Sequence, residues 1–376
     1  MSAPVLHPHS STSPSAAPPP VEASPGALAA VRSLHSAATR RLLAATLGLT
    51  LVLVLAMGVR VLLGNYTVTL PDFFAILGGE RIPGATFIVR EEKLPRAVAG
   101  ALAGAAFGAS GALFRRTLRN PLASPDIIGV TQGAAVAAVA VLAFGGVRGM
   151  GMAAAALMGG LAAIGIVLGF SLAGRRSGGA GRGGLAGTLG GATFIVAGIA
   201  VASLCQAILS GAMLALNQHD LQAAAVWTAG SLNAVTWERI ILLAVLMVVL
   251  VPLGGILHTR LAPADLGGEL AHGVGSRPGR TGMGALVVGA LLAAAATAAT
   301  GPLAFVALLS TPLARGMTGG RPSLPVAALC GAVIVVVADF VASEAFGGTR
   351  LPTGVLTGAA GAPLMLWLLI RTGRKA

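Results

Sequence analysis

The chain has 376 residues, 55% of them hydrophobic and only 10% charged, with a mean hydropathy of +0.87. A soluble domain carries about 25% charged residues, so this composition excludes a water-exposed globule and turns most of the surface toward lipid. The net charge of +13 sits on arginines spread between apolar runs rather than on one basic face, which excludes nucleic acid as the partner. The two cysteines, Cys205 and Cys330, both fall in apolar runs, so neither a disulfide framework nor a CxxC metal site is available.

Residues 1–38 are rich in Pro, Ser and Ala, include Pro18-Pro19-Pro20 and show no hydrophobic period. They are expected to form a disordered cytoplasmic tail, and they lack the pattern of a secretory signal peptide. The membrane domain is expected from residue 39 to the end. A bilayer core needs roughly 20 apolar residues per helix. Ten runs qualify, near 42–63, 95–114, 127–145, 149–173, 191–215, 238–257, 281–300, 302–318, 324–346 and 351–370. The eighth is the weakest, interrupted by Pro312 and ending at Arg315. The expected fold class is an all-α integral membrane protein of ten transmembrane helices.

Charge placement supports that count. With the N-terminus inside and strict alternation, seventeen of the 25 basic residues fall on the cytoplasmic side and eight on the outer side. Basic residues stay cytoplasmic because their translocation is unfavourable. The same alternation puts both termini inside.

The second run carries Gly100, Gly104, Gly108 and Gly111, the first three a repeated GxxxG face that packs helices closely and suits a central position in the bundle. The turn after it reads RRTLRNPLASPDIIGV over residues 115–130. Pro121 and Pro125 stop the helix there, and Asn120 and Ser124 form turns. In the outer segment 217–238, Trp227 and Trp237 read as interfacial anchors. The adjacent His219 and Asp220 fall short of a metal-ligand set.

The longest inner loop between spans, 258–280, places Leu266, Leu270 and Val274 at four-residue spacing. This is an amphipathic helix that serves either the bilayer surface or a docking partner. Ionisable residues inside the spans are few, with Asp339 and Glu344 in or near the ninth. No row of acids or histidines crosses the bilayer, which counts against an ion-driven secondary transporter. The six histidines (His7, His9, His35, His219, His258 and His272) scatter over tail and loops, which counts against a membrane-embedded enzyme. Neither lysine, Lys93 nor Lys375, stands in a P-loop, so ATP cannot be hydrolysed by that route in this chain.

Five elements in order resemble the FecCD-type permeases, the importers of iron–siderophore complexes, heme and vitamin B12. Arg119-Asn120-Pro121-Leu122-Ala123, followed by Pro125 and Gly129, resembles their RNPLA-x-P element. Lys93-Leu94-Pro95-Arg96 resembles RLPR; Trp227, Gly230-Ser231-Leu232 and Trp237 resemble W-x-x-GSL-x-x-x-x-W. Gly301-Pro302-Leu303-Ala304-Phe305-Val306 resembles GPIAFV, and Leu351-Pro352, Gly354, Thr357 and Gly361-Ala362-Pro363 resemble the last element.

The resemblance implies a permease subunit of an ATP-driven importer, with helices two to five and seven to ten as inverted relatives. It implies pairing with a second permease subunit around a path lined by the fifth and tenth helices. It further implies two cytoplasmic ATPase subunits that carry ATP and magnesium, an extracytoplasmic siderophore-binding lipoprotein, and no cofactor, metal or catalytic residue in this chain. The stretch Leu266, Gly267, Gly268, Glu269, Leu270, Ala271, His272, Gly273, Val274 and Gly275 is similar to the family's ATPase-coupling helices. Lys93, Arg96 and Arg350 would dock the binding protein. Ala304-Phe305-Val306-Ala307-Leu308 leans toward ferric siderophores, since cobalamin members more often read GFIGL. Lys93 in place of Arg, Arg350 in place of Glu, and Ser343 where an Arg is often found depart from the family pattern.

Overall fold

A computed structural model describes residues 25–64, 66–177, 192–233, 235–346 and 350–373. Contacts divide the chain into two units, Met1–Arg40 and Arg41–Ala376. In the first unit the described part is helical from Pro25, where α1 (Pro25–Leu62) begins. This corrects the expected tail for residues 25–38; residues 1–24 lie outside the described residues. Proline suits the first helical position, and the alanine-rich run from Ala27 to Leu47 contains neither Pro nor Gly.

The second unit is helical throughout, with no strand among the described residues. After α1, the outer segment folds into α2 (Leu70–Leu77), α3 (Ala85–Phe87) and a π-helical turn (Ile88–Lys93) that runs into α4 (Leu94–Leu118). The bundle continues with α5 (Val130–Gly145), α6 (Met150–Ser177), α7 (Ala192–Leu214), α8 (Gln218–Thr228) and α9 (Trp237–Arg260). A 3₁₀ turn (Ala262–Leu266), α10 (Gly268–Gly273), α11 (Pro278–Thr300), α12 (Val306–Met317), α13 (Leu324–Glu344) and α14 (Thr353–Gly373) complete it. Each of the ten apolar runs is met by a helix. Among the described residues, seven helices are long and apolar enough to cross a membrane unaided, and α5, α12 and α14 carry shorter apolar stretches.

The two central helices are set by small residues. The most apolar stretches of α4 and α11 are each 78% buried, against 22% for α7 and α9. On α4, a Cβ built on Gly104 would lie 2.4 Å from the Gly331 carbonyl oxygen of α13. One built on Gly108 would lie 2.2 Å from that of Ala327, and one on Gly111 2.1 Å from that of Ala307 in α12. The GxxxG face therefore packs two neighbours at backbone distance and sits at the bundle centre. Ser110 Oγ adds a hydrogen bond to the Gly289 carbonyl of α11 at 2.7 Å, which satisfies a polar group in a buried seam.

The short helices α5 and α12 share one construction. Each follows a central helix, and the link to each carries a Pro-Leu-Ala tripeptide, Pro121–Ala123 and Pro302–Ala304. Each begins after a left-handed residue, Gly129 at φ 88° and Phe305 at φ 63°. These turns explain why α5 starts three residues later and α12 four residues later than the apolar runs suggest. They also give the links that follow α4 and α11 a local correspondence.

Candidate translocation path and its two ends

Three of the five motif elements converge on one backbone knot. The Gly354 amide donates to the Gly230 carbonyl at 2.8 Å, and the Ser231 amide to the Thr300 carbonyl at 2.9 Å. A Cβ built on Gly230 would lie 2.1 Å from the Pro302 oxygen, one on Gly301 2.2 Å from the Trp227 oxygen, and one on Gly354 2.0 Å from the Ala229 oxygen. Only glycine allows three main chains to approach so closely, and Gly230 and Gly301 also need positive φ.

Below this knot lies a cavity of about 560 Å³. Ala229, Pro302 and Gly354 form its roof, while Gln132 of α5, Gln206 of α7 and Phe305 stand on its walls. α7 and α14, the fifth and tenth spans, both border it. Half-buried Asp126 also faces it and accepts a hydrogen bond from Thr131 Oγ1 at 3.0 Å. The lining is mostly apolar, with hydroxyl and amide groups and the one carboxylate of Asp126 among its described polar groups, which suits passage better than tight retention.

At the end read as extracytoplasmic, the charges are locked together. Asp339 of α13 accepts from Arg60 Nε at 2.7 Å, from Arg96 at 2.9 Å and from Thr353 Oγ1 at 2.9 Å. Four helices, α1, α4, α13 and α14, meet at this carboxylate. Lys93 is also buried, and its Nζ donates to the carbonyls of Leu63 at 2.8 Å and Tyr66 at 2.6 Å. Neither Lys93 nor Arg96 presents a free cation at the surface, and this corrects their assignment to docking. Their positive charge is used within the fold. Arg350 is half-exposed and pairs with Glu92 at 2.5 Å. Trp237 Nε1 donates to the Arg90 carbonyl at 2.9 Å, tying α9 to the outer segment. Asp220 pairs with Arg148, and Asn217 caps α8 by accepting from the Asp220 amide at 2.9 Å.

At the opposite end, the RNPLA element holds the inner loop. Arg119 is left-handed at φ 49° and ends α4, and its guanidinium donates to the Ala264 carbonyl. One turn earlier, Arg116 pairs with Asp265 at 2.8 Å and lies 3.0 Å from His258 Nδ1. Asn120 Oδ1 accepts from the Leu122 amide at 2.9 Å, the Ala123 amide donates to the Asn120 carbonyl, and the Pro125 carbonyl accepts from Val130. The element is thus a rigid turn with a clamp facing the loop.

The loop is two short helices rather than one. Gly267, at φ 106° and ψ 159°, breaks it between the 3₁₀ turn and α10. Ala271 is buried, whereas Leu266, Leu270 and Val274 are 65%, 63% and 67% exposed, an apolar row facing outward. His272 and Gly273 are exposed, Gly275 turns at φ 75°, and the side chain of Glu269 lies outside the described residues. The residues that brace the loop, Arg116 and Asp265, went unremarked in the sequence because 149 positions separate them.

Known proteins match this chain over most of their length. The chain is 33% identical over 315 residues to the ferric enterobactin transport system permease protein FepG of Escherichia coli (strain K12), covering 83% of this chain and 91% of that one. It is 33% identical over 291 residues to the Fe(3+)-citrate import system permease protein YfmE of Bacillus subtilis (strain 168), covering 77% and 84%. The vitamin B12 import system permease protein BtuC of Salmonella paratyphi A is 30% identical over 326 residues, covering 82% and 93%. A metal-chelate type ABC transporter in an inward-facing conformation superposes with a TM-score of 0.73 over 87% of this chain and 98% of that one; at 24% identity the likeness concerns the fold. Residues 49–371 match the FecCD transport family, and the chain belongs to that family as a multi-pass permease of the bacterial cytoplasmic membrane.

Proposed function

We propose that this permease carries ferric siderophores inward, driven by ATP hydrolysed on two separate cytoplasmic subunits. ATP and magnesium reside on those subunits, and this chain supplies the path. It pairs with a second permease subunit and receives cargo from an extracytoplasmic siderophore-binding lipoprotein. The observation that carries the reading is the exposed apolar row Leu266, Leu270 and Val274, braced to the end of α4 by Arg116 and Arg119. Such a row is costly in water and calls for a partner surface. A clamp to a central helix lets motion of that partner reach the path. Leu266 to Gly275 form the coupling stretch, and Arg350 with Glu92 offers charge for docking outside. Ion pairs there steer and orient more than they add affinity.

Two of the relatives named above carry ferric enterobactin or Fe(3+)-citrate in their names, and this supports an iron-chelate cargo over cobalamin. The test is iron-55 uptake by a deletion strain offered a panel of ferric siderophores, with labelled cobalamin in parallel. Loss of uptake for one siderophore class, restored by the gene, is expected. Undiminished uptake of every siderophore would overturn the reading, and selective loss of cobalamin would move the cargo to vitamin B12.

A further inference from the structure

We propose that the cytoplasmic end of this bundle binds a phosphate oxyanion, and that the phosphate is the headgroup of an anionic phospholipid. A second cavity, of about 940 Å³, opens there. Among the described residues, Arg115, Arg116, Arg119, Arg315 and Arg371 line it, against one carboxylate, that of Asp265. Asp265 is already taken by Arg116, and Arg119 is spent on the Ala264 carbonyl. Among the described residues no carboxylate pairs with Arg115, Arg315 or Arg371.

Arg115 is the strongest pointer. It is only 5% exposed, its terminal nitrogen donates to the Leu308 carbonyl, and its buried Nε has no partner. A buried guanidinium without a counter-charge is strongly unfavourable, and a buried donor left unmade costs about 1–3 kcal/mol. An oxyanion in the cavity removes both penalties. Arginine is suited to it, because its planar donors match two oxygens of one phosphate.

The position selects a lipid as the source. The site lies at the last turns of α4, α12 and α14, where the positive-inside pattern places the cytoplasmic headgroups. Pro312, Met365 and Leu368 make the wall between the arginines apolar. Next to it, Leu366 and Ile370 of α14 are 62% and 60% exposed and present a surface to acyl chains. Basic pockets between membrane helices on this side are suited to anionic headgroups.

The test is native mass spectrometry of the full-length protein, released from nanodiscs of phosphatidylcholine doped with phosphatidylglycerol or cardiolipin. The wild type is expected to retain anionic lipid in preference to phosphatidylcholine. Arg315→Gln and Arg371→Gln, both at exposed positions, should each weaken retention about fivefold. Arg81→Gln, at the opposite end, should leave it unchanged, and a thermal melt confirms that each variant is folded. Arg115→Gln is a further variant, read only if it melts as the wild type does. Inorganic phosphate in large excess should not displace the lipid. Displacement by phosphate would overturn the lipid assignment in favour of a soluble anion. Absence of selective retention, or retention unaltered in both exposed-site variants, would overturn the site itself.

Discussion

Gly104 and Gly331 are reciprocal partners: a Cβ built on either would lie within 2.4 Å of the other's carbonyl oxygen. The crossing of α4 and α13 therefore has no room for a methyl group at its centre. Lipid gives no hydrophobic drive for helix association, so this fit is what holds the pair. Gly104→Ala should destabilise the purified protein by about 1–3 kcal/mol, the usual cost of overpacking. Gly255→Ala on α9, where nothing lies within 4 Å of the added carbon, should not lower the melting midpoint. Equal midpoints for the two variants in detergent would contradict this packing.

Asp339 is the shared ion-pair partner of two buried arginines. Asp339→Asn leaves both guanidiniums uncompensated and should cost about 3–5 kcal/mol. Adding Arg60→Met to Asp339→Asn removes one stranded charge and should recover part of the loss. Melting midpoints and membrane yields of the wild type and the two variants measure this. A double variant no better than the single one would show that Arg60 is not held by Asp339.

The Arg116–Asp265 pair joins the end of α4 to the inner loop. Asp265 is 49% exposed, so the pair itself should contribute only about 0.2–1 kcal/mol to stability. Its loss should instead lower siderophore uptake while ATP hydrolysis by the assembled transporter continues. Uptake and hydrolysis in proteoliposomes of the Asp265→Ala complex separate the two effects. An unchanged ratio of uptake to hydrolysis would remove the clamp from the coupling route.

Gly267 occupies backbone angles open to glycine almost alone. Gly267→Ala should strain the joint between the two loop helices by about 1–3 kcal/mol and reduce uptake. Leu270→Asp should act differently, placing a charge in the apolar row and weakening co-purification of the ATPase. Normal co-purification of the Leu270→Asp protein would argue that the row faces lipid instead.

Much of this was legible in the sequence, for a physical reason. Spans announce themselves by apolar length, and turns by Pro and Gly, so the ten helices and the RNPLA turn could be placed. The four-residue spacing of Leu266, Leu270 and Val274 showed one face, but the left-right break at Gly267 depends on φ and left no mark in the spacing. Lys93 and Arg96 looked like surface cations because a basic residue at the outer end of a span normally is one. Their true partners are the carbonyls of Leu63 and Tyr66, about thirty residues away, and an acid 243 residues away. Long-range pairing of this kind is a property of packing. Residues 25–38 read as tail because their hydrophobic period is weak, yet alanine-rich chain after a proline forms helix without one.

The Asp339 junction fastens four helices at one rim of the bundle, whereas the other rim is tied to its loop through two arginine side chains. Through those side chains a push delivered at the loop would enter one helix, α4, whereas any separation of the helices at the far rim would have to break the contacts of a single carboxylate.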